Sequence, residues 1–203
     1  IESGCSTILL KCLEQAMKQT NKYSPSKAIF LDVDGVLNNI RWAEIMEREY
    51  GIQIYRDDIL EDRAINLLKI IIDETGAVIV VSSDWRKIHV MLGHLRDRLA
   101  EYGITIYGVT PTGGPSRGSE IAAWLAEHPG ITQYVILDDH YDMEGHGDHL
   151  VLTMPTQGLT IADAARCVHR LNGGIEDSAD IGVVAKRIRE KSKTNHAGGG
   201  NGP

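Results

Sequence analysis

The stretch AIFLDVDG, residues 28–35, constrains this chain more than any other part of it. Four uninterrupted apolar residues, Ala28 to Leu31, run into Asp32 and Asp34, with a single residue between the two acids. An apolar run without polar alternation reads as a strand buried on both faces, the kind found in parallel sheets. The aspartates then stand at the strand's carboxyl end, where open α/β sheets bind their ligands, and residues two apart in an extended chain point to the same side. Two like charges so placed raise each other's pKa unless a cation or a shared proton relieves them. The pair therefore asks for a metal, a proton, or both. Gly35 lets the backbone turn sharply and a ligand come close. A strand followed by an Asx-type turn accounts for the same residues, so both readings stay open at this point.

The rest of the chain alternates strand and helix. Helical spacing is expected over residues 41–50, 59–74, from Ile88 to Leu99, 117–127 and Thr160 to Leu171. Further strands are expected at Ala77–Val81, Ile104–Tyr107, 134–139 and His149–Leu152. This order predicts an α/β fold: a Rossmann-like three-layer sandwich around a parallel sheet of about five strands. Residues 1–27 read as an N-terminal helical appendage, with Leu9, Cys12, Leu13, Ala16 and Met17 at helical spacing. The core domain is 28–172. Residues 173–203 hold one amphipathic helix, Ile181 to Lys191, and a Gly-rich, apolar-poor end expected to be disordered.

Composition removes several function classes. The net charge of −7, with both signs interspersed, lacks the basic footprint of a general nucleic-acid binder. Cys5, Cys12 and Cys167 are odd in number and show no C-x-x-C spacing, which argues against a disulfide framework and a zinc site and fits a reducing cytoplasm. No apolar run approaches the roughly 18 residues that a membrane span requires. A soluble, cytoplasmic protein without a membrane partner is expected.

Several strand ends carry polar residues of a particular kind. The first ends in Asp32 and Asp34, the second in Ser82 and Ser83, and the fourth in Asp138 and Asp139; Arg117 opens the helix before the fourth strand. In a parallel sheet these ends lie along one edge. Acids, hydroxyls and a cation converge there without sharing a sequence neighbourhood.

With FLDVDGV, VIVVSS, SRGSEIAAWL and VILDDH in this order, the chain resembles the haloacid dehalogenase superfamily of phosphohydrolases. SSDWR after the second strand and TMPTQGLT after the fifth are similar to a capless branch that includes phosphatase-like domains of RNA-repair fusion proteins. The resemblance implies that Asp32 is a nucleophile forming an aspartyl-phosphate and that Asp34 is the general acid and base. It implies Mg²⁺ as cofactor, held by Asp32, the Asp34 backbone carbonyl and Asp139, with Asp138 in support and Asp142 acting through water. It implies Ser82, with Ser83 as competitor, as the phosphate's hydroxyl donor, and Arg117 as its cation where many relatives have Lys. A dehalogenase has no leaving oxygen to protonate, so Asp34 favours phosphoryl transfer.

Other features have plainer readings. His140, His146 and His149 are irregularly spaced and read as a solvated loop rather than a metal cluster. Trp85 reads as a packing residue, whereas Arg86 is a candidate substrate contact. Asn38 and Asn39 end the turn or meet substrate. GGPSRGS lacks the spacing of a phosphate-binding P-loop. Neither residues 35–81 nor residues 83–116 leave room for a large cap domain. By analogy with the superfamily, an open site is expected to act on phosphomonoesters of large molecules such as nucleic-acid ends, with Arg41, Arg56, Arg86 and Lys87 as a cationic rim. The alternatives are a nucleotide or small-metabolite phosphatase and, in another class, a non-catalytic phosphate-binding or interaction domain.

Overall fold

The computed structural model describes residues 25–39, 47–49, 60–141, 143–174 and 178–197. The expected N-terminal helix, most of the helix expected over 41–50, Arg41, Arg56, Asp142 and the glycine-rich end lie outside the described residues.

The apolar run of the opening stretch is strand β1, Lys27–Leu31, in the middle of a five-stranded sheet. In chain order there follow α1 (Asp62–Thr75), β2 (Val78–Val81), a 3-10 turn at Asp84–Lys87, α2 (His89–Ala100) and β3 (Ile106–Val109). Then come α3 (Arg117–Glu127), β4 (Gln133–Asp138), a 3-10 turn at Gly147–His149, β5 (Leu150–Leu152), α4 (Ile161–Leu171) and α5 (Ser178–Ala197). The strand order is β3-β2-β1-β4-β5 and every pairing is parallel. The expected α/β fold with a parallel sheet of five strands is therefore the observed one.

Side-chain alternation divides the sheet between two apolar layers. Ile29 and Leu31 of β1, Ile79 and Val81 of β2, and Val135 and Leu137 of β4 pack with α1, α2, α4 and α5. Their neighbours Ala28, Phe30, Val80 and Ile136 face the opposite way, onto Ile121 and Trp124 of α3. On that second side Phe30 meets Trp124 and Tyr134 edge-on, with ring centroids 5.4 and 5.6 Å away. Such pairs contribute about 0.5–1.5 kcal/mol beyond their buried area.

Helix ends follow local chemistry. Gly76, at φ 68°, closes α1 with its N–H on the Ile72 carbonyl. Ser116 and Ser119 form a capping box that starts α3, and Thr160 with Asp163 does the same for α4. The third strand begins two residues later than expected. Gly103 is left-handed and the Ile104 N–H returns to the Leu99 carbonyl at 3.0 Å, so Ile104 finishes α2 and pairing starts at Ile106. The last helix extends beyond the expected 181–191, and its Ile188 is fully buried against the core. Cys167 is a free, buried thiol. Between Ser82 and Arg117 the chain holds only the 3-10 turn, α2, β3 and a loop.

Candidate functional site

Register sets the site. Leu31 pairs with Val81 on one side and Leu137 on the other, so one residue further along stand Ser82, Asp32 and Asp138 in a row. All three continue the alternation of Phe30, Val80 and Ile136 and so belong to the face that α3 covers. Backbone bonds extend this row past the strands: the Asp32 N–H donates to the Leu137 carbonyl at 2.9 Å, and the Ser82 N–H to the Leu31 carbonyl at 3.0 Å.

Arg117, the first residue of α3, reaches down to this row. Its Nη1 lies 2.9 Å from Asp32 Oδ2 and also donates to Asp138 Oδ2. Asp32 and Asp138 are both buried. Burial, and then the charge of Asp32, push the Asp138 carboxyl up to about 6, against the opposing pull of Arg117 and of the His140 N–H. Burial works against the Arg117 charge, but the two carboxylates outweigh it and hold its pKa above the ordinary value. An arginine within the chain thus relieves the crowding of Asp32 and Asp138; Asp34, the acid expected to crowd Asp32, bonds Asn38 and Trp85 instead.

The two serines separate. Ser83 Oγ accepts the Trp85 N–H at 3.4 Å and caps the 3-10 turn. Ser82 Oγ is wholly buried and has no hydrogen-bond partner, as is Thr110 Oγ1 on the adjoining strand end. Buried hydroxyls are normally paired, so an unpaired one beside two carboxylates and an arginine invites a ligand oxygen. Thr110 was not foreseen from sequence; its one signal is its position just past β3.

Asp34 leaves the strand line and is exposed. Its Oδ1 accepts Asn38 Nδ2 at 2.8 Å and its Oδ2 accepts the Trp85 indole N–H at 3.1 Å. Asn38 is itself oriented by the Gly35 N–H, which donates to its Oδ1 at 3.0 Å. Gly35 has φ 68°, and a Cβ there would stand 2.5 Å from Asp139 Oδ2. Only glycine permits the loop to lie that close to the acidic pair. Thr153, just past β5, steadies the same loop by donating from Oγ1 to the Gly35 carbonyl at 2.8 Å.

The donor set for a cation is acidic and oxygen-rich. Asp138, Asp139 and His140 each offer a ligand atom, all within 4.8 Å of one another. Asp138 is engaged at both oxygens, by Arg117 and by the His140 N–H at 2.9 Å. Asp139 has Oδ1 on His140 Nδ1 at 2.8 Å and turns Oδ2 to the Gly35 loop. Carboxylate oxygens suit a hard cation such as Mg²⁺. His146 and His149 are elsewhere: the first bonds the Tyr134 hydroxyl at 2.7 Å and the second stacks on that ring at 3.8 Å.

Arg86 differs from its expected role as a substrate contact. Its side chain is buried and donates to the carbonyls of Thr110 (3.1 Å), Ser82 (2.5 Å), Ser83 (2.7 Å) and Pro111 (3.2 Å) and to Glu120. All five guanidinium N–H groups are engaged, so Arg86 shapes the loop that carries the serines. Lys87 pairs with Asp84 at 2.8 Å. Neither member of the expected cationic rim that falls within the described residues is a free surface charge. No helix among the described residues is long and apolar enough to cross a membrane.

Compared with known families, residues 28–164 match the one described as the HAD domain in Swiss Army Knife RNA repair proteins. No curated protein and no solved structure matches the chain.

Proposed function

Because this chain belongs to the family of HAD domains in Swiss Army Knife RNA repair proteins, a phosphatase-type hydrolase family, we propose that it hydrolyses phosphomonoesters through Asp32. The observation that carries this reading is the row Ser82, Asp32, Asp138 with Arg117 bridging its two acids.

In the first step an Asp32 carboxylate oxygen bonds to phosphorus while the bond from phosphorus to the leaving oxygen breaks. Asp34 gives its proton to that oxygen, so the leaving group departs as an alcohol. A water then attacks phosphorus and passes a proton to Asp34. The bond between Asp32 and phosphorus breaks, inorganic phosphate is released, and both carboxyl groups return to their starting states. The Ser82 hydroxyl and the Arg117 guanidinium hold the phosphoryl oxygens, and Arg117 exchanges its contact with Asp32 for one with the phosphate. Asp32, Asp139 and the Asp34 backbone carbonyl would hold Mg²⁺, with Asp138 in support; bound there, the cation would neutralise the charge that keeps one anion from another.

For substrate, the description of the family points to a phosphate on an RNA end. The short connection from Ser82 to Arg117 fits, since it puts no cap over that side of the site. The test is phosphate release, with and without Mg²⁺, from 5′- and 3′-phosphorylated oligonucleotides, a mononucleotide and 4-nitrophenyl phosphate. The expected result is Mg²⁺-dependent release, a kcat/KM highest on an oligonucleotide, and almost none in Asp32→Asn, an amide that cannot attack. Full activity in folded Asp32→Asn would overturn the mechanism. A mononucleotide used best would replace the RNA end with a metabolite.

A further inference from the structure

We propose that Trp85 and Asn38 are positioning residues which together hold the Asp34 carboxylate in the one orientation that serves proton transfer to the leaving group. This inference rests on the role of Asp34 proposed above and adds to it two residues that touch no reacting atom.

Asp34 is exposed, yet each of its oxygens accepts a hydrogen bond, one from Asn38 and the other from Trp85. An exposed carboxylate left alone samples several rotamers, and only some would aim an oxygen at the leaving group. Trp85 is the rigid side of the clamp. It is 2% exposed, and it sits in the 3-10 turn whose own Arg86 donates from Nη1 to the carbonyls of Ser82 and Ser83 just before the turn. An indole N–H is a donor with no acceptor function, so its bond to Asp34 Oδ2 has a single sense. It joins the end of β2 to the loop after β1, across 51 positions of sequence.

Asn38 is the other side. Because its Oδ1 accepts the Gly35 N–H, its Nδ2 is the end that faces Asp34. A carboxylate has about four acceptor positions, so two donors still leave room for the proton that Asp34 must carry. The clamp thereby fixes the plane of the carboxyl group without blocking it. A water-exposed acid becomes a preorganised one, the condition under which general acid catalysis is effective.

A purely structural role for Trp85 would lower the rate on every substrate alike. A clamp on the acid has a different signature, because kcat/KM reports the step in which the leaving group departs. An alkyl phosphate, whose alkoxide is a poor leaving group, needs the proton; 4-nitrophenyl phosphate does not. Wild type, Asp34→Asn, Trp85→Phe and Asn38→Ala are therefore compared on 4-nitrophenyl phosphate and on an alkyl phosphate, with melting curves to confirm folding. Trp85→Phe is expected to lose about tenfold or more in kcat/KM on the alkyl phosphate and only a few-fold on the aryl one, a fraction of the effect of deleting the acid. Asn38→Ala, at a half-buried polar position, is expected to show the same selectivity and keeps the test alive where Trp85→Phe does not fold. Selective loss in Asp34→Asn without it in folded Trp85→Phe or in Asn38→Ala overturns the clamp alone. Equal losses on both substrates in Asp34→Asn overturn the role of Asp34 beneath it, and the clamp with it.

Discussion

The hydroxyl of Ser82 is buried without a partner while that of its neighbour Ser83 is used as a cap. An unpaired buried hydroxyl costs about 1–3 kcal/mol, a cost that ligand binding can relieve. Ser82→Ala should therefore leave the melting temperature of the ligand-free protein unchanged or higher, while kcat/KM on a phosphomonoester falls about tenfold or more, as expected when a preorganised donor is removed. Ser83→Ala should do the reverse, losing up to about 1 kcal/mol with its cap and little activity. Thermal melts and steady-state kinetics on the two variants check both signs. If Ser83→Ala is the inactive one, the phosphate contact belongs to Ser83. Sequence alone left the two serines in competition, because both follow the same apolar run; the side of the sheet on which each side chain falls separates them.

Helix α3 depends on a glycine for its seat. Gly118, its second residue, is buried where a Cβ would run into the backbone carbonyl of Met143. Helix propensity alone favours alanine over glycine by about 1 kcal/mol. Here packing opposes propensity and wins, because the obstructing atom is backbone and cannot rotate away. Gly118→Ala should lose about 1–3 kcal/mol in a urea titration, the usual cost of overpacking. It should also lower kcat/KM, since a shift of the helix start carries Arg117 away from Asp32 and Asp138. A stabilised or fully active Gly118→Ala would show that the loop at Met143 yields instead. The same element marks how far sequence reasoning reached: residues 117–127 are the expected helix to the residue, because helical spacing is a local signal. The seat on Met143 is a contact between segments 25 residues apart and has no local signal.

Among the described residues the sheet lies between unequal layers, and helix α5 belongs to the thicker one. Ile188 of α5 is fully buried, with Ile181, Val184 and Ala185 packed against the same core, and Arg187 and Lys191 both reach Glu74 of α1. Ile188→Ala should cost about 2–5 kcal/mol, as large-to-small core substitutions do. Lys191→Ala should cost at most about 1 kcal/mol, the ordinary value of an exposed ion pair. Chemical denaturation of the two variants measures the difference. Equal, small losses would show that α5 contributes little to the stability of the domain.

The amino-acid sequence by itself determined the parallel sheet, the order of its elements and the edge at which the acids gather. These follow from signals confined to a few residues: apolar runs without alternation, caps, glycines and the polar residues where strands stop. What only the tertiary structure decided is how the side chains at that edge share their bonds. Arg86 reads in sequence as an exposed cation after a strand, but with Glu120 and four carbonyls within reach its burial is compensated, and it turns inward. Trp85 reads as packing, and its ring is indeed buried, yet the indole N–H finds a carboxylate 51 residues away. Local pattern can announce a strand, because a strand's hydrogen-bonding needs are the same everywhere. It cannot announce a partner, because a donor or a charge is satisfied by whichever group the folded chain brings to it.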